Sequence, residues 1–132
     1  MPVIDASVVV DALVTVGPAG ELARAELSRL TQLQVPAIFT AEVTSALRAL
    51  VRGGALSPVR AGTALSDALA IRTLTYSFEP FARRAWELRA NLTVYDAWYV
   101  ALAERLDTEL VTADKRLARA AGPRCPVRCP EP

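Results

Sequence analysis

MPVIDASVVV, residues 1–10, sets a single carboxylate between two apolar runs. Pro2, Val3 and Ile4 suit a short strand, whereas from Ser7 the apolar positions Val8, Val9, Ala12, Leu13 and Val16 recur at helical spacing, with Asp11 on the outer side. Asp5 therefore stands where a strand empties into a helix. Whether that position is chemical or merely a helix cap depends on whether other acids repeat it.

The same alternation runs through the chain. Gly17-Pro18 breaks the first helix, and a second amphipathic helix is expected from about residue 20 to 33, with Leu22, Ala23, Leu27, Leu30 and Leu33 on one face. QVPAIF reads as a strand. Thr40 then caps a helix carrying Val43, Ala46, Leu47, Leu50 and Val51, which Gly53-Gly54 ends. Ser57-Pro58 is an N-cap followed by proline at the first helical position, opening a helix to about residue 71. RTLTYSF is strand-like, and Pro80 starts a helix to about residue 90. The helix from Val94 to about Leu106 is apolar nearly all round and should be buried and central. TELVT is a strand, Asp114 opens a short helix to Ala121, and the proline-rich tail allows an edge strand around Val127. Short strands alternating with helices predict a single α/β domain over residues 1–132, built on a parallel sheet covered on both faces.

Composition removes several chemistries. At 132 residues with 52% apolar residues and no long apolar run, one globular core is expected, with neither a membrane span nor a signal peptide, and a cytoplasmic location follows by default. The absence of histidine excludes His-based triads and His-ligated zinc. Any catalysis must rest on carboxylates. A net charge of +1 does not announce a nucleic-acid binder, and the arginine bias among the fifteen basic residues fits a GC-rich genome as well as phosphate contacts. Cys125 and Cys129 lack further metal-ligand partners and read as free thiols, with a tail disulfide open to them after purification.

Asp96 and Asp114 repeat the placement of Asp5. One lies in the first turn of the buried helix and the other between a strand and a helix. In a parallel sheet, strand carboxyl ends and helix amino ends share one edge, which brings these acids together. Each also has a structural reading: Thr93-Val94-Tyr95-Asp96 fits a capping box, Asp114 an N-cap, and Asp5 or Ser7 could cap the first helix. Glu42, near the margin of its helix's apolar stripe, is the fourth acid. Converging carboxylates repel and are costly to desolvate unless cations join them, and an oxygen-only donor set selects Mg²⁺ or Mn²⁺.

VIDASV, TAEV, LTVYDAWYVALAE and LVTADKRLARA, in this order over nearly the whole chain, resemble the PIN-domain family and most closely its VapC-type toxin branch. The resemblance implies a three-layer α/β/α sandwich with a short, mainly parallel central sheet. It also implies metal-dependent endoribonuclease activity, dimerisation, and a cognate VapB-type antitoxin protein that blocks the site. Carried over residue by residue, Asp5, Glu42, Asp96 and Asp114 take the family's acidic, metal-holding positions, and Ser7 and Thr112 its polar helpers.

The expected reaction is hydrolysis of an RNA phosphodiester by an activated water. One or two Mg²⁺ would be held by Asp5, Asp96 and Asp114, with Glu42 placing the second ion or its waters. Ser7 or Thr112 could orient a carboxylate, touch a phosphate or cap a helix. Arg48, Arg52, Arg83, Arg84, Arg89 and Lys115-Arg116 are candidates for RNA contact, and Leu22, Leu30 and Val51 for a partner or the core. A HAD-type phosphotransferase would need an acid at Ser7, and a receiver domain an acid within TLTYSF. A catalytically inactive PIN-like RNA- or protein-binding module is the remaining alternative.

Overall fold

The computed structural model describes residues 1–132. Five short strands, β1 (Val3–Ile4), β2 (Leu33–Pro36), β3 (Thr73–Tyr76), β4 (Leu110–Val111) and β5 (Val127–Arg128), form one sheet in the order β3-β2-β1-β4-β5. Every pairing is parallel, with Val3 opposite Gln34 on one side and Leu110 on the other. The strand before Asp5 is thus the central one.

Alternation along these strands decides the layers. Ile4 and Val111 belong to one buried cluster, with Val8, Val9, Phe39, Val43 and Leu47 from α1 (Ala6–Val14) and α3 (Phe39–Arg52). This layer also holds α2 (Pro18–Ser28) and α4 (Pro58–Ala70). Val3 and Leu110, one residue earlier in each strand, point the other way into a second cluster. There they meet α5 (Ala82–Glu87), α6 (Val94–Arg105) and α7 (Lys115–Ala118). A period of two on a strand buried on both faces gives the α/β/α sandwich expected from sequence.

Helix α6 is the spine of the second layer, with Ala97 to Ala103 all buried, which is why it looks apolar on every side. Thr93 caps it, its hydroxyl accepting the Asp96 N–H at 3.1 Å. Ser57 caps α4 in the same way, accepting the Arg60 N–H at 3.2 Å, with Pro58 at the first helical position.

Several boundaries differ from the sequence reading. Helix α2 begins at Pro18, because Gly17 takes a φ of 97° that turns the chain directly into it. It ends at Ser28, and Leu33 opens β2 instead of lengthening the helix, since pairing with Thr73 of β3 buries it. Phe39 begins α3 rather than ending a strand, and Thr40 lies inside the helix, whose N-cap position is Ile38. Val16 lies beyond α1 and is exposed, and the segment after Phe78 splits into a 3-10 turn, Glu79–Phe81, and the short α5. Helix α7 stops at Ala118. The expected edge strand at Val127 forms beside β4.

Candidate active site

The chain moves to one side of β1 through β2 and β3, and to the other through β4 and β5. Strand order therefore reverses beside β1, and in parallel α/β sheets the crevice at such a reversal binds ligands. Asp5 follows β1 there, Asp114 follows β4, Glu42 stands in the first turn of α3 after β2, and Asp96 in the first turn of α6. The acids act on one another through charge: Asp5 and Asp96 on Glu42, Asp5 and Asp114 on Asp96, and Asp114 on Asp5. Asp96 and Asp114 line one cavity together, while Glu42 borders another between α3 and α6.

Asp5 is the fixed member. It is 8% exposed, and although it occupies the N-cap position of α1 its side chain caps nothing. Instead, the Ser7 and Thr112 hydroxyls both donate to Oδ2, at 2.6 and 2.7 Å. Each hydroxyl is held in turn by a backbone N–H, Ser7 by Ala113 at 3.0 Å and Thr112 by Asp114 at 3.0 Å. With their protons committed, Ser7 and Thr112 are carboxylate orienters rather than helix caps. The other oxygen of Asp5 receives no side-chain donor.

The structural reading holds in part for the remaining aspartates. Asp114 does cap α7, its Oδ1 accepting the Arg116 and Leu117 N–H groups. In α6 the cap is Thr93, and the half-buried Asp96 carboxylate lines the cavity it shares with Thr93, Asp114 and Arg116. Glu42 Oε1 is fully buried with no hydrogen-bond partner. The Tyr99 hydroxyl lies within reach of this carboxylate without a well-formed bond, so the oxygen is under-satisfied and has room for a further partner, a cation included.

Beside Glu42 and Asp5 lies Tyr99, which the apolar pattern of α6 assigns to packing. It is entirely buried, and its hydroxyl lies near Glu42 and Asp5 without a well-formed hydrogen bond. Burial and the two neighbouring carboxylates push its pKa far up, so the group stays a neutral phenol. The available signal was spacing: Tyr99 follows Asp96 by three residues and shares its helix face.

Burial is the largest influence raising the Asp5, Glu42 and Asp96 carboxyls above their ordinary values, and neighbouring acids add to it. Only Arg116, mostly exposed and 3.7 Å from Asp114, brings positive charge to the group. No three of the acids lie close enough to grip an ion as they stand. The donor chemistry nonetheless fits a hard divalent cation: oxygen ligands only, mutual repulsion that one exposed arginine offsets only in part, and one under-satisfied carboxylate oxygen.

A pH prediction follows from these shifts. Above the ordinary values of 3.8 for Asp and 4.5 for Glu, the folded chain binds more protons than the unfolded one at Asp5, Asp96 and Glu42. Stability of the metal-free protein therefore rises as pH falls from neutral towards about 5. Glu104 and Glu109, whose pKa values are lowered, oppose this only below 4.5, where their ion pairs are lost. Thermal unfolding in EDTA should give a higher midpoint at pH 5 than at pH 7.5, and Mg²⁺ at pH 7.5 should raise it. A lower midpoint at pH 5 would contradict the description of the acids as mutually repelling.

The arginine candidates separate. Arg84 is taken by Glu104, at 2.7 and 3.0 Å, by Glu87 and by the Gly122 carbonyl, so it is a structural residue. Arg89 lies over the Trp86 ring. Arg48 and Arg52 border a groove between α3 and α4, away from the acids. Asp11, assigned to the outer side of α1, lines the groove that runs from Ser7 and Asp114 between α1 and α3. Leu30 and Val51 pack against the core, and Leu22 is half-buried. Both cysteines are free, and burial pushes the Cys125 thiol up to about 11.

Parallel three-layer architecture with a carboxylate-ringed crevice is a nuclease-like arrangement, and the comparisons make the class definite. The chain belongs to the PIN-domain family, whose model matches residues 3–123. Within that family it stands with the VapC ribonucleases. It is 39% identical to ribonuclease VapC9 of Mycobacterium tuberculosis, over 96% of both chains. Among solved structures, VapC20 of the same organism, described as a Sarcin-Ricin loop cleaving toxin, superposes with a TM-score of 0.66 at 14% identity, covering 89% of this chain and 92% of that one. VapBC2 of Rickettsia felis, bound to a DNA fragment from its promoter, gives 0.64 at 15% identity, covering 96% of both. At such identities the two structures speak for the fold.

Proposed function

We propose that the chain is a divalent-metal-dependent endoribonuclease acting as the toxin of a toxin–antitoxin pair in the cytoplasm. The observation that carries this reading is the contrast between Asp5, locked by two hydroxyls, and Glu42, whose buried oxygen lacks a partner in the same crevice. Asp5, Asp96 and Asp114 would hold Mg²⁺ or Mn²⁺, and Glu42 would hold a second ion or its waters. The ion, when bound, acidifies a water and neutralises charge that gathers on the phosphoryl oxygens.

The chain's own groups do the rest. Ser7 and Thr112 donate to the charged form of Asp5, opposing the effect of burial and keeping it an acceptor. Tyr99 packs against Glu42 from the buried side, its hydroxyl within reach of the carboxylate. Arg116, exposed beside Asp114, is placed to meet a substrate phosphate. The route uses no 2′-hydroxyl nucleophile, so its products carry 5′-phosphate and 3′-hydroxyl ends.

The proposed protein partners are a VapB-type antitoxin and a second copy of the chain. A groove of ≈310 Å³ between α3 and α4, walled by Leu47, Val51, Ala61 and Leu65 and bordered by Arg48 and Arg52, supports the antitoxin contact. Such a groove suits an amphipathic helix with acidic flanks.

End-group analysis tests the chemistry. Total RNA treated with the protein and Mg²⁺ or Mn²⁺ should yield fragments that accept ligation through 5′-phosphates, and EDTA should stop their formation. Fragments ending in 2′,3′-cyclic phosphate would contradict the mechanism.

A further inference from the structure

Beside the acids, α3 and α6 leave an open cavity of ≈280 Å³ lined by Ile38, Ala41, Glu42, Ser45 and Tyr95. It is lined by Glu42, so an occupant would lie beside a carboxylate proposed to act at the scissile phosphate. Its walls carry no cation and include a carboxylate, which makes it a poor place for a second phosphate. Its volume is near the lower end for small-molecule pockets, about 300 Å³, enough for one flat ring system.

Tyr95 sets the character of the cavity. It is 54% exposed, whereas Trp98 and Tyr99 of the same helix are 7% and 0% exposed. A large aromatic side chain left open beside a charged crevice forgoes the burial that its neighbours obtain. Tyr95 and Asp96 are consecutive in the first turn of α6, about 100° apart round the axis and about 1.5 Å apart along it. Ring and carboxylate therefore diverge from one helix end, as the base and the phosphate of one nucleotide do. The Ser45 hydroxyl is exposed on the rim opposite.

We propose that this cavity is a nucleobase subsite, in which an unstacked base adjoining the scissile phosphate lies on the Tyr95 ring with its polar edge toward Ser45. The proposal rests on the ribonuclease reading and adds to it a residue that reads the substrate. Single-stranded RNA is recognised in this way, by bases splayed out onto aromatic side chains.

The test compares wild type, Tyr95→Phe and Tyr95→Ala on total RNA, with cut positions mapped by sequencing and kcat/KM measured on one fragment that wild type cuts. Loss of one stacked base lowers kcat/KM by about 5- to 150-fold. Tyr95→Ala should show that loss together with a flattened base preference at one position beside the cut, and Tyr95→Phe should keep both. Wild-type kcat/KM and preference in Tyr95→Ala would overturn the subsite. So would unchanged cleavage with altered sedimentation, which would give the cavity to a second copy of the chain.

If wild type cuts nothing, the ribonuclease reading fails by itself, and binding decides the subsite. Single-stranded RNA dodecamers carrying 2-aminopurine at successive positions would be bound to Asp96→Asn. Quenching at one position that disappears when Tyr95→Ala is added supports the subsite. No Tyr95-dependent quenching overturns it.

Discussion

Replacing Asp5 by Asn is expected to abolish RNA cleavage while making the metal-free protein more stable. Asn keeps an oxygen for the Ser7 and Thr112 hydroxyls, so the local geometry can survive. What it removes is a charge, at a position where burial and Asp114 already disfavour charge. Losing one electrostatic stabiliser of a transition state costs about 10²–10³-fold, and a carboxylate proposed also to hold a metal should cost at least that. Relief of repulsion should add about 1 kcal/mol to stability, within the range usual for stabilising changes at strained functional sites. Cleavage assays beside urea unfolding in EDTA read both quantities. A variant that loses activity and stability together would make Asp5 a structural acid whose removal simply damages the fold.

Arg128→Ala should produce the largest loss of stability. Arg128 in β5 donates through Nη2 to Glu26 of α2, and through Nε and Nη2 to Glu109, both at 2.9 Å. Glu26 is 5% exposed, so truncating Arg128 leaves a buried carboxylate without its cation. A fully buried pair would cost about 3–5 kcal/mol to break in this way. Arg128 at 29% and Glu109 at 34% exposure are partly screened, which brings the expectation to about 2–3 kcal/mol. Strand β5 is only two residues long and has one neighbour, so it should be the first element to loosen. Denaturant unfolding measures the loss, and Glu26→Gln added to Arg128→Ala should recover part of it. A loss below about 0.5 kcal/mol, the range of ordinary surface changes, would show that the network does not anchor the edge strand.

Those two substitutions mark what the sequence makes legible and what it hides. Asp5, Asp96 and Asp114 are legible because strand ends and helix starts share an edge in a parallel sheet, so local pattern alone predicts their convergence. Helix α6 is legible for a similar reason, since a helix apolar on every side must be central. The Glu26–Arg128–Glu109 network is not legible. Its Glu26–Arg128 link spans 102 positions and its Glu109–Arg128 link 19, all three look like ordinary surface charges, and nothing short of the folded register pairs them. Tyr99 was hidden by the very apolarity that placed its helix, because a phenol counts as core until a carboxylate is found above it.

Ser7 and Thr112 show how the structure decides between readings that sequence leaves open. Capping, phosphate contact and carboxylate orientation all suit a hydroxyl at a helix start. Both hydroxyls turning to one oxygen of Asp5 selects orientation. Boundary errors have a common physical origin as well. Leu33 and Phe39 each continue a local pattern, yet strand pairing claims the first and burial against the sheet the second.

On the proposed reading, the carboxylates at this sheet edge cleave RNA with the help of a bound divalent ion. The most direct test is one gel: folded wild type and Asp96→Asn, each with total RNA, in Mg²⁺ or Mn²⁺ and in EDTA. Discrete fragments from wild type with either ion, with none in EDTA and none from Asp96→Asn in any lane, are the predicted result. No cutting by wild type, or equal cutting by the two proteins, would contradict it.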